Sequence, residues 1–142
     1  MSVSAILVPH RPVFPAFAFR FDTDSGAVAF SGDTTASDNV VRIAQGADVL
    51  VHSVLNLDAV KLSGRASPEL LTHLEDSLAT TSQVGPIAER AGVKTLVLTH
   101  LVPSNPRLIP DAVWHAQCSV GFGGTVHVGN DLDRITLPVR RP

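Results

Sequence analysis

The stretch Ala29-Phe30-Ser31-Gly32-Asp33-Thr34-Thr35-Ala36-Ser37 constrains the fold of this chain more than any other. An apolar run, Ala27 to Phe30, reads as a buried strand, and it breaks at Gly32 to deliver a lone carboxylate, Asp33, into a polar loop ahead of a helix. Placing an acid just past the carboxyl end of a strand is how open α/β sheets present chemistry. A second strand, Lys94 to Thr99, does the same with an imidazole, ending in His100 and continuing into Leu101-Val102-Pro103.

The remaining segments arrange themselves around these two strand ends. Val3 to Val8 reads as a strand that begins almost at Met1, and Pro9, Pro12 and Pro15 then interrupt the chain. Ala16 to Asp22 alternates through Phe17, Phe19 and Phe21 like a half-buried strand, and Asp24-Ser25-Gly26 turns it into an antiparallel partner, Ala27 to Ser31. Ser37 or Asp38 caps a helix with Val40, Val41, Ile43 and Ala44 on its inner face and Gly46 at its end. Asp48 to His52 is a short buried strand. Ser67-Pro68-Glu69 starts a helix with an apolar stripe of Leu70, Leu71, Leu74 and Leu78. Thr80 and Gln83 have capping-box spacing, but Pro86 sets the start of regular helix near Gly85, and that helix runs to Gly92. Asp111 to Gln117 is a short helix carrying Trp114. Gly121 to Gly124 turns, and Thr125 to Val128 and Arg134 to Leu137 close the fold as strands joined by Asn130-Asp131. The expected class is therefore α/β (α+β), in a single domain over residues 1–142 with no linker or internal repeat.

Composition removes several function classes. Apolar residues make up 44% of the chain and charged residues 17%, which is a globular balance with an apolar lean. The net charge is −2, and no basic stripe exists beyond Arg140-Arg141, so no strong direct nucleic-acid surface is expected. No apolar run approaches the ~20 residues of a membrane helix. Cys118 is the lone cysteine and the N-terminus lacks a basic lead, so the expected location is the cytoplasm.

Asp33 has two readings. Gly-Asp-Thr makes a turn in which the carboxylate bonds backbone amides, or the carboxylate is a hard metal ligand able to bridge two cations. His100 is likewise either satisfied by its own loop or a ligand. Carboxylate and imidazole together suit zinc. The free amides of Gly32-Asp33-Thr34-Thr35 could hold an anion, but no Walker lysine accompanies them. Ser31 and Cys118 have no neighbouring base, His73 and His127 read as surface and strand residues, and His115 beside Trp114 is a candidate pocket residue.

Three blocks together carry a resemblance. They are Val28-Ala29-Phe30-Ser31-Gly32-Asp33-Thr34, then Ala47-Asp48-Val49-Leu50-Val51-His52, then Gly85 through Thr99-His100-Leu101-Val102-Pro103. This set resembles the C-terminal half of a metallo-β-lactamase-fold hydrolase, in the branch of ribonuclease Z and related arylsulfatase- or phosphodiesterase-like enzymes. The ending Gly121-Phe122-Gly123-Gly124-Thr125-Val126 through Asp131-Leu132 fits the same branch. The resemblance implies half of an αββα sandwich and a hydrolase that attacks a phosphodiester, sulfate or related ester with zinc-bound hydroxide. It makes Asp33 the carboxylate that bridges two zinc ions and His100 the last histidine ligand. His10, Thr34 and His52 fall at the rim or in support of that site.

The departures are equally specific. The His-x-His-x-Asp-His cluster of the family's N-terminal half is absent, as is the histidine ligand that follows it, and none of the six histidines forms an H-x-H pair. Ser53 stands where the family usually has a glutamate, and Leu78 where it usually has a histidine. The expectation is a metal-dependent hydrolase represented by its C-terminal half and inactive alone. Half a sandwich also exposes an apolar sheet face, which implies a homodimer or a complementing N-terminal half. The alternative is a non-catalytic truncated homologue that dimerises or docks on a partner chain. A start codon set too late, with the missing half encoded upstream of Met1, would account for the same features.

Overall fold

The computed structural model describes residues 1–137 of the 142-residue chain. Strands β1 (Ser2–His10), β2 (Val13–Thr23) and β3 (Gly26–Phe30) form an antiparallel meander, and β4 (Val49–Leu55), β5 (Thr95–Val102) and β6 (Thr125–Val128) add to it in parallel. The result is one mixed six-stranded sheet in the order β1-β2-β3-β4-β5-β6. The parallel strands are joined by helical crossovers, as their geometry demands. Those helices are α1 (Asp38–Ala44), α2 (Leu57–Leu62), α3 (Pro68–Ser77), α4 (Thr81–Ala91) and α5 (Asp111–Cys118). Among the described residues no helix is long and apolar enough to cross a membrane.

Helices α1, α4 and α5 cover one face of the sheet. Val40, Ile43 and Ala44 of α1, Val84, Ile87, Ala88 and Ala91 of α4, and Trp114 and Cys118 of α5 pack onto Ala18, Ala29, Leu50, Leu96, Leu98 and Val126. A smaller cluster of Leu55, Val60 and Leu78, flanked by Leu71 and Leu74, seats α2 and α3 beside it. Leu70, expected on the α3 stripe, is instead exposed, because only one side of α3 meets the cluster.

Among the described residues no helix covers the other face. The strand register aligns Phe19 with Phe30, Phe21 with Val28, Val28 with Val49 and Phe30 with Val51, so their side chains share that face. Phe21 and Phe30 meet edge to face at 5.7 Å, and with Phe19 and Val28 they line a shallow apolar hollow of about 560 Å³. Leu7 is 44% exposed, Phe19 42% and Phe30 41%. The apolar sheet face expected from the sequence is therefore open.

Four sequence expectations need correction. Strand β2 begins at Val13 and passes through Pro15, which sits where the β1–β2 register shifts between Val8 and His10; a bulge tolerates a residue without an N–H. Helix α2 has no counterpart in the sequence reading, although Asn56 caps it by accepting from the Ala59 N–H at 3.1 Å. Helix α4 starts at Thr81 and carries Pro86 inside it. Gln83 Oε1 takes the Thr80 N–H at 2.9 Å, and this cap sets the start while Pro86 forgoes a single helix bond. Finally, Arg134 to Leu137 is not a strand. Asp133 Oδ2 accepts from the Asn130 N–H and lies 2.9 Å from His127 Nε2, which lifts the chain over the sheet instead of alongside β6.

Candidate functional site

The parallel strands all end on one side of the molecule, and there the structure brings Asp33 and His100 together. Asp33 Oδ1 lies 3.3 Å from His100 Nδ1. One whole strand, β4, separates the strand ends that carry them, so both loops must be steered across it.

The steering of Asp33 is done by hydrogen bonds. The Ser31 N–H continues the ladder to the Val51 carbonyl at 2.9 Å, and its hydroxyl accepts from the Ser53 N–H at 3.2 Å. The Ser53 hydroxyl then donates to the Gly32 carbonyl at 3.0 Å. Gly32 has φ +61°, and a Cβ there would stand 2.8 Å from the Phe17 carbonyl oxygen, so the turn admits only glycine comfortably. Beyond Asp33, the Ala79 N–H donates to the Thr34 carbonyl at 2.8 Å, and the Thr35 N–H donates to the Pro9 carbonyl at 3.0 Å. Thr34 is fully buried, with its hydroxyl turned onto the Thr35 carbonyl. The loop is thus clamped from β4, β1 and the α3–α4 connection.

His100 is aimed by a bulge. The β4–β5 register runs Ser53 to Thr99 and then Val54 to Leu101, leaving His100 as the extra residue, with φ +46°. A left-handed backbone at a non-glycine residue is uncommon and clusters at functional positions. Its side chain is 53% exposed and that of Asp33 37%. A contact between side chains this open contributes little to stability. The backbone, not mutual attraction, holds the two groups together.

The flanking candidates fall into place less directly. His10 Nδ1 lies 2.9 Å from the Ser77 carbonyl and donates to it, tying the end of β1 to the end of α3. His52 points into the helix-covered face, fully buried, with Nδ1 donating to the Ser53 carbonyl at 2.6 Å. Burial pushes its pKa down to about 4, so the ring is neutral. His73 and His115 are exposed. A cleft of about 470 Å³ beside Trp114 is lined by Leu101, Asn105, Ile109, Asp111 and Asn130 among others, and not by His115. Burial raises the Cys118 thiol to about 12, which removes it as a nucleophile.

Carboxylate and imidazole are the right donor types for zinc, but a catalytic zinc takes three protein ligands and a water. Among the described residues no group of three histidine, cysteine, aspartate or glutamate side chains could hold a metal ion. The donors among the described residues therefore do not make a zinc site by themselves. Sequence reasoning found both members of the pair and missed what positions them. Ser31 and Ser53, polar residues at the ends of adjacent apolar strands, were the visible signal.

Comparison with known proteins bears on the fold and the family resemblance. No family model matches the chain. Ribonuclease Z of Mycobacterium tuberculosis strain H37Rv is 37% identical over 133 residues, which cover 93% of this chain and 47% of the relative. Among solved structures, the metallo-beta-lactamase fold protein YhfI from Bacillus subtilis superimposes with a TM-score of 0.67 at 20% identity, over 89% of this chain and 46% of that one. Zn(2+)-bound PqqB from Methylobacterium extorquens gives 0.62 at 19% identity, over 93% and 50%. The chain spans about half the length of the relatives it matches; over that span it is similar in sequence to ribonuclease Z, and its fold matches about half of a metallo-β-lactamase-fold chain.

Proposed function

We propose that this chain is the C-terminal half of a ribonuclease Z-like hydrolase, which supplies Asp33 and His100 to a zinc centre completed by a complementary half. The observation that carries the reading is the Asp33–His100 pair, held at 3.3 Å by backbone devices at the ends of parallel strands. Zinc, as one or two ions, is the metal that suits these donors, and zinc is bound in the similarly folded PqqB. The substrate class is a phosphodiester, as in RNA, or a related ester. The chain's own charge of −2 supplies no phosphate-binding surface, which falls to the other half. The buried, unpaired Cys118 suits a reducing compartment such as the cytoplasm.

The open apolar face supports a partner. Ser53 and the buried Leu78 favour a second reading, a non-catalytic homologue that dimerises through that face. The two readings separate in one series of measurements. Purified chain is expected to retain no stoichiometric zinc after dialysis and to leave bis(p-nitrophenyl) phosphate intact. Co-expressed with the N-terminal half of the Mycobacterium tuberculosis relative, it is expected to give a zinc-loaded complex that hydrolyses the ester. Asp33→Ala or His100→Ala should then lower zinc content without dissolving the complex. Stoichiometric zinc and turnover in the monomeric chain would overturn the incomplete-site reading. A stable homodimer with no affinity for the other half would favour the second.

A further inference from the structure

We propose that the cleft beside Trp114 is a nucleobase subsite, which takes a base carrying an exocyclic amino group while the neighbouring phosphodiester lies at Asp33 and His100. This rests on the reading above, in which the chain serves a phosphodiester hydrolase, and it names the part of the substrate that this half recognises. The first support is position. The cleft, of about 470 Å³, opens at the carboxyl ends of β5 and β6, the side of a sheet on which α/β proteins bind ligands. Leu101, one of its walls, directly follows His100 in the bulge of β5, so the cleft begins beside the pair.

The backbone builds the cleft before any ligand arrives. The Gly129 N–H donates to the Leu98 carbonyl at 2.9 Å, and a Cβ at Gly129 would stand 2.7 Å from that same oxygen. The end of β6 is thus drawn tightly onto β5, which carries Asn130 and Asp131 to the rim. On the other side, the Asn105 carbonyl accepts from the Leu108 and Ile109 N–H groups at 3.0 and 3.1 Å. This turn presses Ile109 into the core, where it and the buried Trp114 form an apolar floor.

The chemistry of the walls selects the ligand. Asp111 and Asp131 offer carboxylates, which only accept hydrogen bonds when ionised. Asn130 Nδ2 meets Asp111 Oδ2 at 3.5 Å, which leaves Oδ1 for a donor from the ligand. Among the described residues no lysine or arginine lines the cleft, so a phosphate entering it meets two negative charges and is repelled. A ligand that fits has an apolar face for the floor and hydrogen-bond donors along its edge. An unpaired nucleobase has both, and bases in single strands are read through their faces and edges. Carboxylates recognise an amino group, as Asp and Glu do with N4 of cytosine. Cytosine, adenine and guanine carry such a group, and uracil does not.

The test uses the full chain and uncharged nucleosides, which separate base from phosphate and require no zinc. Trp114 is the lone tryptophan, so its fluorescence reports on the cleft. Cytidine and adenosine are expected to change the emission saturably and to bind roughly tenfold more tightly than uridine. Asp111→Ala/Asp131→Ala is expected to erase that preference. Asp131→Lys, at an exposed loop residue, should weaken cytidine binding about tenfold. Asp24→Ala, in the β2–β3 turn at the opposite end of the sheet, should leave it unchanged. Equal responses to the three nucleosides, or none, overturn the subsite. A response to N-acetylarginine amide alone also overturns it, by making the carboxylates a site for a cationic side chain. A zinc-loaded, hydrolytic complex whose chain binds no nucleoside selectively overturns the subsite and leaves the hydrolase reading standing. Selective binding by a chain that yields no such complex supports the subsite and overturns that reading.

Discussion

The Ser53 hydroxyl donates to the Gly32 carbonyl at 3.0 Å, and this bond across the end of β4 determines where Asp33 stands. Ser53 is almost fully buried, so its removal strands a carbonyl that water cannot easily reach. Ser53→Ala is expected to cost about 1–2 kcal/mol in urea unfolding. Amide chemical shifts should move at Gly32 to Thr35 and at His100 and stay put in α5. Equal stability with unmoved Asp33 resonances would remove Ser53 from its positioning role.

Gly32 is the second determinant. Its φ of +61° and the 2.8 Å approach a Cβ would make to the Phe17 carbonyl act together. Gly32→Ala therefore meets backbone strain and a backbone clash, and is expected to destabilise by roughly 1–3 kcal/mol. The matched control is Gly46→Ala, where φ is +65° but nothing lies within 4 Å of the added carbon. Thermal melts of the two should show Gly32→Ala as the more damaging, with the difference measuring the clash alone.

These two residues also mark how far the sequence could be read. Asp33 and His100 were legible because each follows an apolar run with a sharp polar break, a signal contained in a few neighbouring residues. The bulge that turns His100 toward Asp33 was not, since it exists only in the pairing of β5 with β4. Pro86 points locally to a later start of α4, but the Thr80–Gln83 cap overrides it and the helix begins at Thr81. The signal for α2 is a single residue, Asn56, whose side chain caps a helix too short to show an apolar period. The alternation of Arg134 to Leu137 describes a strand but not the layer it lies in, which depends on the His127–Asp133 contact.

Asp48 offers a test of how the strands under the site are tied. Its carboxylate is 1% exposed, accepts from the Ala27 N–H at 2.9 Å and meets Lys94 Nζ at 2.8 Å, linking β3 and β5 through the start of β4. Asp48→Ala leaves the buried Ala27 N–H without this acceptor and is expected to cost about 3 kcal/mol. Lys94→Met should cost about 1 kcal/mol or less, because the lysine side chain is 66% exposed and the carboxylate keeps its Ala27 bond. Urea midpoints of the two variants give the ranking directly. A Lys94→Met loss as large as that of Asp48→Ala would mean that charge neutralisation, not the backbone bond, holds this corner.

His52 should set the acid limit of the fold. Its ring is fully buried with Nε2 lacking a partner among the described residues, and burial lowers its pKa from 6.5 to about 4. The unfolded chain takes up a proton below pH 6.5, whereas the native chain resists protonation until about pH 4. The unfolded state therefore binds more protons across that window, and stability falls as pH drops through it. The loss approaches about 3 kcal/mol once the pH nears 4, since each pH unit crossed in that window removes about 1.4 kcal/mol. Urea unfolding at pH 7, 5.5 and 4.5 should show a decline that is shallower in His52→Gln, which has no imidazole to charge. Carboxylates such as Asp133, held below its usual range by the Asn130 N–H and His127, contribute only as the pH falls through the carboxylate range. A wild-type profile parallel to that of His52→Gln between pH 6.5 and 5 would show that the buried imidazole is not the group that acid attacks.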